Sequence, residues 1–295
     1  MIELGRTLTA MITPFDDQGN VDLTGASKLA RWLVDQGNDA LVITGTTGEG
    51  NTLADEEQVE VWKAVRSSVS VPLVAGCGTN DTEHTVRLTG LAESSGMDCA
   101  LIVTPYYNRP SQSGIEAHFR AVSQNTKLPI LIYDIPIRTG RKVSTETIVR
   151  LATDVSNIVG VKDAANDPAE SARLLTQVPE GFRLYAGVDA LTLPLLSIGA
   201  TGVIGVCTHW ATPDMKAMIE SYRLGKVEEA AAINRRLLDS YRFESTELTP
   251  NPLPVKAMLR WLGLPAGQCR LPMGPAPAGL EGEAKEVFER LLAAR

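Results

Sequence analysis

Ile158-Val159-Gly160-Val161-Lys162-Asp163 places a short β-prone run directly before a lysine. A run of Ile and Val this short reads as a strand covered on both faces, the kind found in parallel sheets. A lysine at its end is unusual, because an ammonium withdrawn from water is costly unless it is paired or neutral. Desolvation lowers a lysine's pKa, and the neutral amine can attack a carbonyl to form a Schiff base. The plainer alternative is a strand-end lysine whose stem lies on apolar surface while its head reaches water. The segment alone leaves both open.

Outward from this strand, the same unit repeats. Toward the N-terminus lie Leu8 to Thr13 before Pro14, Ala40 to Thr44, Val71 to Ala75, Ala100 to Thr104 and Pro129 to Tyr133. Toward the C-terminus lie Phe182 to Ala186 and Val203 to Val206. Helical periodicity falls between most of them, over Leu23 to Gln36, Asp55 to Val69, Thr82 to Ser95, Ile115 to Asn125, Thr145 to Ala152, Pro168 to Thr176 and Thr212 to Leu224. About eight strand–helix alternations predict an α/β fold, a (β/α)8 TIM barrel, which typically takes about 250 residues. A doubly wound sheet is the runner-up, but it usually carries a Gly-rich first turn, and Thr13-Pro14-Phe15 has no glycine. Beyond Lys226 the pattern is helical only: Val227 to Arg242, Pro254 to Leu262 and Glu281 to Ala294, parted by two Pro/Gly-rich linkers. The expected division is a catalytic barrel over 1–225 and a C-terminal helical region over 226–295.

Composition narrows the class. The chain has 295 residues, 44% hydrophobic and 21% charged, the balance of a soluble globular protein. A formal charge of −7 argues against nucleic acid as the main partner. No apolar run approaches the roughly 20 residues of a membrane span, and the N-terminus lacks the pattern of a signal peptide. Cys77, Cys99, Cys207 and Cys269 are far apart and predict buried free thiols in a reducing cytoplasm. His84, His118 and His209 form no metal-spaced set.

In such a barrel the active site lies at the C-terminal ends of the strands. There the sequence presents Gly45-Thr46-Thr47-Gly48-Glu49, Thr104-Pro105-Tyr106-Tyr107-Asn108, Tyr133-Asp134-Ile135-Pro136 with Arg138, Lys162-Asp163, Gly187-Val188-Asp189 and Gly202 to Gly205. Each group suits Schiff-base chemistry on a small keto acid. Lys162 supplies the amine. Tyr133 ends the adjacent strand, where its phenol can move protons. The Gly/Thr turn offers N–H groups and hydroxyls to a carboxylate. Arg138 offers a bidentate grip on a second one. The alternatives are ordinary barrel filling by Tyr133, a turn that only shapes its loop, and an exposed Asp134–Arg138 pair worth under about 1 kcal/mol. Convergence on one rim favours the chemical reading.

With these motifs, and with Val161-Lys162-Asp163-Ala164, Arg138-Thr139-Gly140, Pro250-Asn251-Pro252-Leu253-Pro254-Val255-Lys256 and Arg270-Leu271-Pro272-Met273, the chain resembles the dihydrodipicolinate synthase family. That family belongs to the pyruvate-dependent lyase/aldolase superfamily, and the likeness covers nearly the whole chain. It implies condensation of pyruvate with L-aspartate-4-semialdehyde in lysine and diaminopimelate biosynthesis. Lys162 would form the Schiff base. Tyr133, Thr46 and Tyr107 would form a proton relay, with Tyr107 entering from a neighbouring subunit of a homotetramer. Thr47 would hold the pyruvate carboxylate and Arg138 that of the semialdehyde. Ile204, through its carbonyl, and Gly187 would line the substrate site. No metal or cofactor, no nucleic acid and no membrane is implied, and the expected location is the cytoplasm. The chain departs from the usual pattern at Ile137, where a small residue is common, at Val188, where Asp is common, and at Asp163, where Glu is more frequent.

Rivals within the superfamily are N-acetylneuraminate lyase-like enzymes and 2-keto-3-deoxy sugar acid aldolases, whose sugar acceptors offer Arg138 no carboxylate at that end. A non-catalytic metabolite-binding barrel is a third reading, with no use for both Lys162 and Tyr133 at the rim. In lysine-inhibited members of the family, an Asn, a Glu, a Tyr and nearby histidines hold lysine at the tight dimer interface. Asn80 and Tyr106 match, His84 stands at the glutamate position, and Asp55 and Gln58 stand at the histidine positions. Weak or absent inhibition by lysine is the expectation.

Overall fold

The apolar runs become eight short strands: β1 (Thr7–Ala10), β2 (Ala40–Ile43), β3 (Leu73–Gly76), β4 (Cys99–Val103), β5 (Ile130–Asp134), β6 (Ile158–Asp163), β7 (Arg183–Ala186) and β8 (Gly202–Gly205). In the computed structural model, which describes residues 2–295, all eight are parallel. They close in chain order into one barrel, β8 returning to β1. The helices are α1 (Leu23–Asp35), α2 (Asp55–Arg66), α3 (Thr82–Ser94), α4 (Gln112–Gln124), α5 (Pro136–Thr139), α6 (Thr145–Asp154), α7 (Pro168–Leu175), α8 (Thr192–Leu196) and α9 (Thr212–Arg223). Three more follow the barrel: α10 (Val227–Phe243), α11 (Leu253–Trp261) and α12 (Leu280–Ala293). The expected (β/α)8 barrel with a helical tail is therefore the architecture found.

Side chains in a strand alternate between faces, and the barrel uses both. Leu8, Val42, Val74, Leu101, Leu131, Tyr185 and Ile204 form one buried cluster inside it. Ile43, Ile102, Ile132 and Val161 face outward into a second cluster built with the helices. That second cluster continues through Trp210, Leu237, Tyr241, Phe243 and Leu259, so the tail packs on the same apolar layer. At the seam, a Cβ on Gly202 would sit 1.9 Å from the Arg6 carbonyl oxygen. Only a residue without a Cβ lets β8 approach β1 there. Side-chain caps start the helices: Asp22, Asp81, Ser111, Ser144 and Asp167 each accept a backbone N–H of the first turn, worth about 1 kcal/mol apiece.

Two details differ from expectation. β1 ends at Ala10 rather than running to Thr13, and the Ile12 N–H is taken by the His209 ring at 3.1 Å instead of by a strand. Two short helices, α5 and α8, were not anticipated. Each has at most five residues and contains a proline, too short for a 3.6-residue period to show. All four cysteines are buried and free. Among the described residues, no helix is long and apolar enough to cross a membrane.

Candidate active site

Register builds the centre. Tyr133 of β5 stands opposite Lys162 of β6, and Lys162 opposite Tyr185 of β7. Pleating turns these residues into the barrel and their neighbours Asp134 and Asp163 outward. Lys162 is 4% exposed, and its Nζ lies 4.4 Å from the centroid of the Tyr133 ring, a cation–π approach that attracts an ammonium. Ile204 shares the inner cluster with Tyr133. Gly187 donates its N–H to the Asp163 carbonyl at 2.7 Å, and a Cβ there would crowd the same oxygen at 3.0 Å. The backbone beside the lysine is thus pinned.

Beyond β8 lies a buried acidic pair. Asp189 accepts the N–H groups of Val206 (2.9 Å) and Cys207 (2.7 Å), and Glu244 accepts Cys207 N–H at 3.2 Å. Burial, then Asp189, pushes the Glu244 carboxyl well above its usual range, while Lys162 pulls it down. Through these backbone hydrogen bonds the pair fixes the chain just after Ile204.

The Gly45–Glu49 turn is bracketed by two left-handed residues, Thr44 (φ 55°) and Glu49 (φ 54°). Such backbone costs on the order of 1–3 kcal/mol per residue, and side-chain bonds offset it. Trp62 Nε1–H donates to Thr44 Oγ1 at 2.8 Å, and Thr13 Oγ1–H to the Gly48 carbonyl at 2.6 Å. Glu49 Oε1 lies 2.6 Å from Lys256 Nζ, and Glu49 Oε2 accepts Arg270 N–H at 2.9 Å. Lys256 also donates to the Gln268 carbonyl and sits 4.0 Å above the Phe15 ring. Thr47 is buried, and its Oγ1 accepts Asn251 Nδ2–H at 3.0 Å.

At the mouth is a cavity of about 320 Å³ lined by Thr46, Asn51, Val103, Tyr106, Ile135, Arg138 and Thr139. Arg138 rides on α5, which opens with Pro136 and closes on Gly140 at φ 71°, a left-handed cap natural to glycine. Its Nη2 donates to the Asn251 carbonyl at 3.4 Å. The exposed Asp134–Arg138 pair does not form. Asp134 is 2% exposed on the outer face and accepts Val143 N–H at 3.1 Å. Burial, less the pull of that hydrogen bond and with a push from Asp163, raises its carboxyl to about 7. Tyr107 stands apart from the cavity lining, 90% exposed with a left-handed backbone at φ 68°.

Of the candidate residues, the structure therefore gathers Lys162, Tyr133, Ile204 and Gly187 around the barrel's upper interior. Thr46 and Arg138 line its mouth, Thr47 joins them through Asn251, and Tyr107 lies on the surface. The chain from residue 3 to residue 294 matches the Dihydrodipicolinate synthetase family. The chain belongs to that family. A curated relative from Moorella thermoacetica, named 4-hydroxy-tetrahydrodipicolinate synthase, is 44% identical over 99% of this chain and 98% of its own length. The dihydrodipicolinate synthase of Cyanidioschyzon merolae, solved with lysine bound, superposes with a TM-score of 0.95 at 40% identity, covering 98% of both chains. A chloride-inhibited dihydrodipicolinate synthase from Acinetobacter baumannii, solved in complex with pyruvate, gives 0.92 at 32% identity over 98% of this chain and 99% of that one.

For a synthase of this family, the site takes more from the tail than sequence reasoning found. Asn251, Lys256 and Glu244 all come from beyond the barrel and touch its loops. Asn251 and Lys256 lie in the Pro250–Lys256 motif, yet nothing in its spacing ties them to Thr47 or Glu49. Of the residues that the resemblance assigns to lysine binding, His84 and Asp55 are in direct contact. Burial opposes it, but His84 and Arg87 together hold the Asp55 carboxyl below its usual range. His84 Nε2 lies 2.8 Å from Asp55 Oδ1, and Arg87 Nη2 donates to Oδ2 at 2.9 Å. Asn80 and Asn108 are bonded to each other through Asn108 Nδ2–H and the Asn80 carbonyl.

Proposed function

We propose that this chain is a 4-hydroxy-tetrahydrodipicolinate synthase, a lyase condensing pyruvate with L-aspartate-4-semialdehyde through a Schiff base on Lys162. The observation that carries the reading is a buried lysine amine over the Tyr133 ring at the C-terminal end of a barrel strand. The amine adds to the keto carbon of pyruvate and water leaves, forming the imine. Loss of a methyl proton gives an enamine, whose carbon attacks the aldehyde carbon of the second substrate. Tyr133, Thr46 and Tyr107 relay the protons these steps release and consume. Thr47 holds the pyruvate carboxylate, with Ile204 and Gly187 lining the same pocket. Arg138, at the cavity mouth, takes the acceptor's carboxylate, which favours the semialdehyde over the sugar aldehydes of the sister aldolases.

The working form in this reading is a cytoplasmic homotetramer, in which Tyr107 serves a neighbouring subunit. Its exposed phenol and left-handed backbone support that role. Residues 1–225 act as the catalytic barrel and 226–295 as the helical region that braces it. Reduction with borohydride in the presence of pyruvate tests the core of the proposal. The imine is trapped as a secondary amine, and peptide mapping is expected to place the adduct on Lys162. An adduct on Lys142 or Lys256, or one that survives Lys162→Ala, refutes the assignment.

A further inference from the structure

Asn251 lies just before α11, within the tail, and is 7% exposed. Its backbone N–H donates to Ser245 Oγ at 3.2 Å, its carbonyl accepts Arg138 Nη2–H at 3.4 Å, and its Nδ2–H donates to Thr47 Oγ1 at 3.0 Å. One residue therefore touches both groups assigned to substrate carboxylates. The polarity of the last bond matters. A hydroxyl has one proton and two lone pairs. When the amide N–H occupies a lone pair, the Thr47 proton is left to serve another acceptor. Among the described residues, the buried Asn251 Oδ1 has no partner. Turning the amide over would give that oxygen the Thr47 proton and take the proton away from any ligand.

We infer that Asn251 is a positioning residue for the synthase: its amide N–H polarises the Thr47 hydroxyl to donate to the pyruvate carboxylate, while its carbonyl steadies Arg138. This rests on the proposed role of Thr47. The bond is long-range, joining residues 204 apart, so the tail sets the donor direction of a barrel loop. An anchor that was only structural would work equally well with either end of the amide toward Thr47.

The test is steady-state kinetics of the full chain with pyruvate and the semialdehyde. Asn251→Asp keeps the shape but offers only acceptors when ionised, so it captures the Thr47 proton. The pyruvate KM is expected to rise at least about tenfold, the scale of losing one hydrogen bond to a charged group. At saturating pyruvate, kcat should stay within about twofold, since the bond serves substrate and transition state alike. Asn251→Ala, which removes the donor without adding charge, should give a smaller rise of roughly threefold, the scale of one ordinary hydrogen bond. It carries the test if the Asp variant fails to fold. In a Thr47→Val background the Asn251→Ala effect should vanish and the Asn251→Asp effect should shrink to what its added charge alone costs, because the hydroxyl through which Asn251 acts is gone. Effects of equal size with and without the Thr47 hydroxyl overturn the inference, as does an unchanged KM in the Asn251 variants when Thr47→Val alone raises it. An unchanged KM in Thr47→Val itself overturns the proposed role of Thr47, and this inference with it.

Discussion

Replacing Lys256 with methionine strips the Glu49 carboxylate of its cation while filling most of the same volume. Both side chains are almost wholly inaccessible, at 1% and 3%, and their charged atoms are 2.6 Å apart. At an effective dielectric of about 20 the bare attraction is roughly 6 kcal/mol, most of which repays desolvation. Removing one member of a buried pair typically costs about 3–5 kcal/mol, because the other charge stays behind unpaired. Glu49 keeps the Arg270 N–H, and a methionine sulfur above Phe15 recovers part of the lost ring contact. Both effects place the expected loss near the low end, about 3 kcal/mol. At about 2–4 °C per kcal/mol for a large domain, the melting temperature should fall by roughly 6–12 °C. The measurement is thermal or urea unfolding followed by circular dichroism at one fixed protein concentration, since assembly also contributes to stability. Adding Glu49→Gln removes the stranded charge and keeps an acceptor for Arg270, so the double variant should regain most of the loss. A Lys256→Met chain as stable as the parent, or a double variant weaker than the single one, refutes the reasoning.

Arg138→Ala should lower turnover with aspartate-4-semialdehyde by about 2–5 kcal/mol of transition-state binding while pyruvate imine formation survives; a variant of equal activity points to the sister aldolases. Lysine should inhibit weakly or not at all, because Asp55 is already held by His84 and Arg87 and no carboxylate stands at position 84. Initial rates over a lysine titration near pH 7.5 check this, and half-inhibition at sub-millimolar lysine contradicts it. Asp134 makes stability depend on pH. Its folded-state pKa of about 7 lies above the ordinary carboxylate value of 3.8, so its contribution is full below about 4 and fades as pH rises to about 7. Asp134→Asn, which still accepts the Val143 N–H, should flatten the stability profile in that window; an unchanged profile rules the group out.

The barrel was legible because its signals are local. Val and Ile runs such as Ile130–Ile132 and caps such as Asp81 act within a few residues, and eight repeats of them leave little freedom in topology. The placement of Lys162 and Tyr133 was equally legible, since each is the last residue but one of its strand and the parallel register sets them side by side. The exposed Asp134–Arg138 pair, the plainer alternative in the sequence, does not form because Arg138 sits on a short helix while Asp134 faces outward. That helix contains a proline and too few residues to betray itself by periodicity. Asn251 and Lys256 stayed out of reach for a different reason. Their partners, Thr47 and Glu49, are more than 200 residues away, and only the packing of α11 under the first loops brings them together.

That long reach has a consequence for how the chain comes into being. At a synthesis rate of roughly 5–20 residues per second, Thr47 leaves the ribosome about 10–40 s before Asn251 does. By then every barrel strand has been made, the last ending at Gly205. Until then the strained Gly45–Glu49 turn lacks Asn251, Lys256 and Arg270, three of the groups that hold it. A chain halted after the barrel therefore carries Lys162 and Tyr133 without the brace on the Gly45–Glu49 turn. The brace arrives with residues 251–270, and a premature stop codon before them yields a barrel whose Gly45–Glu49 turn is unbraced.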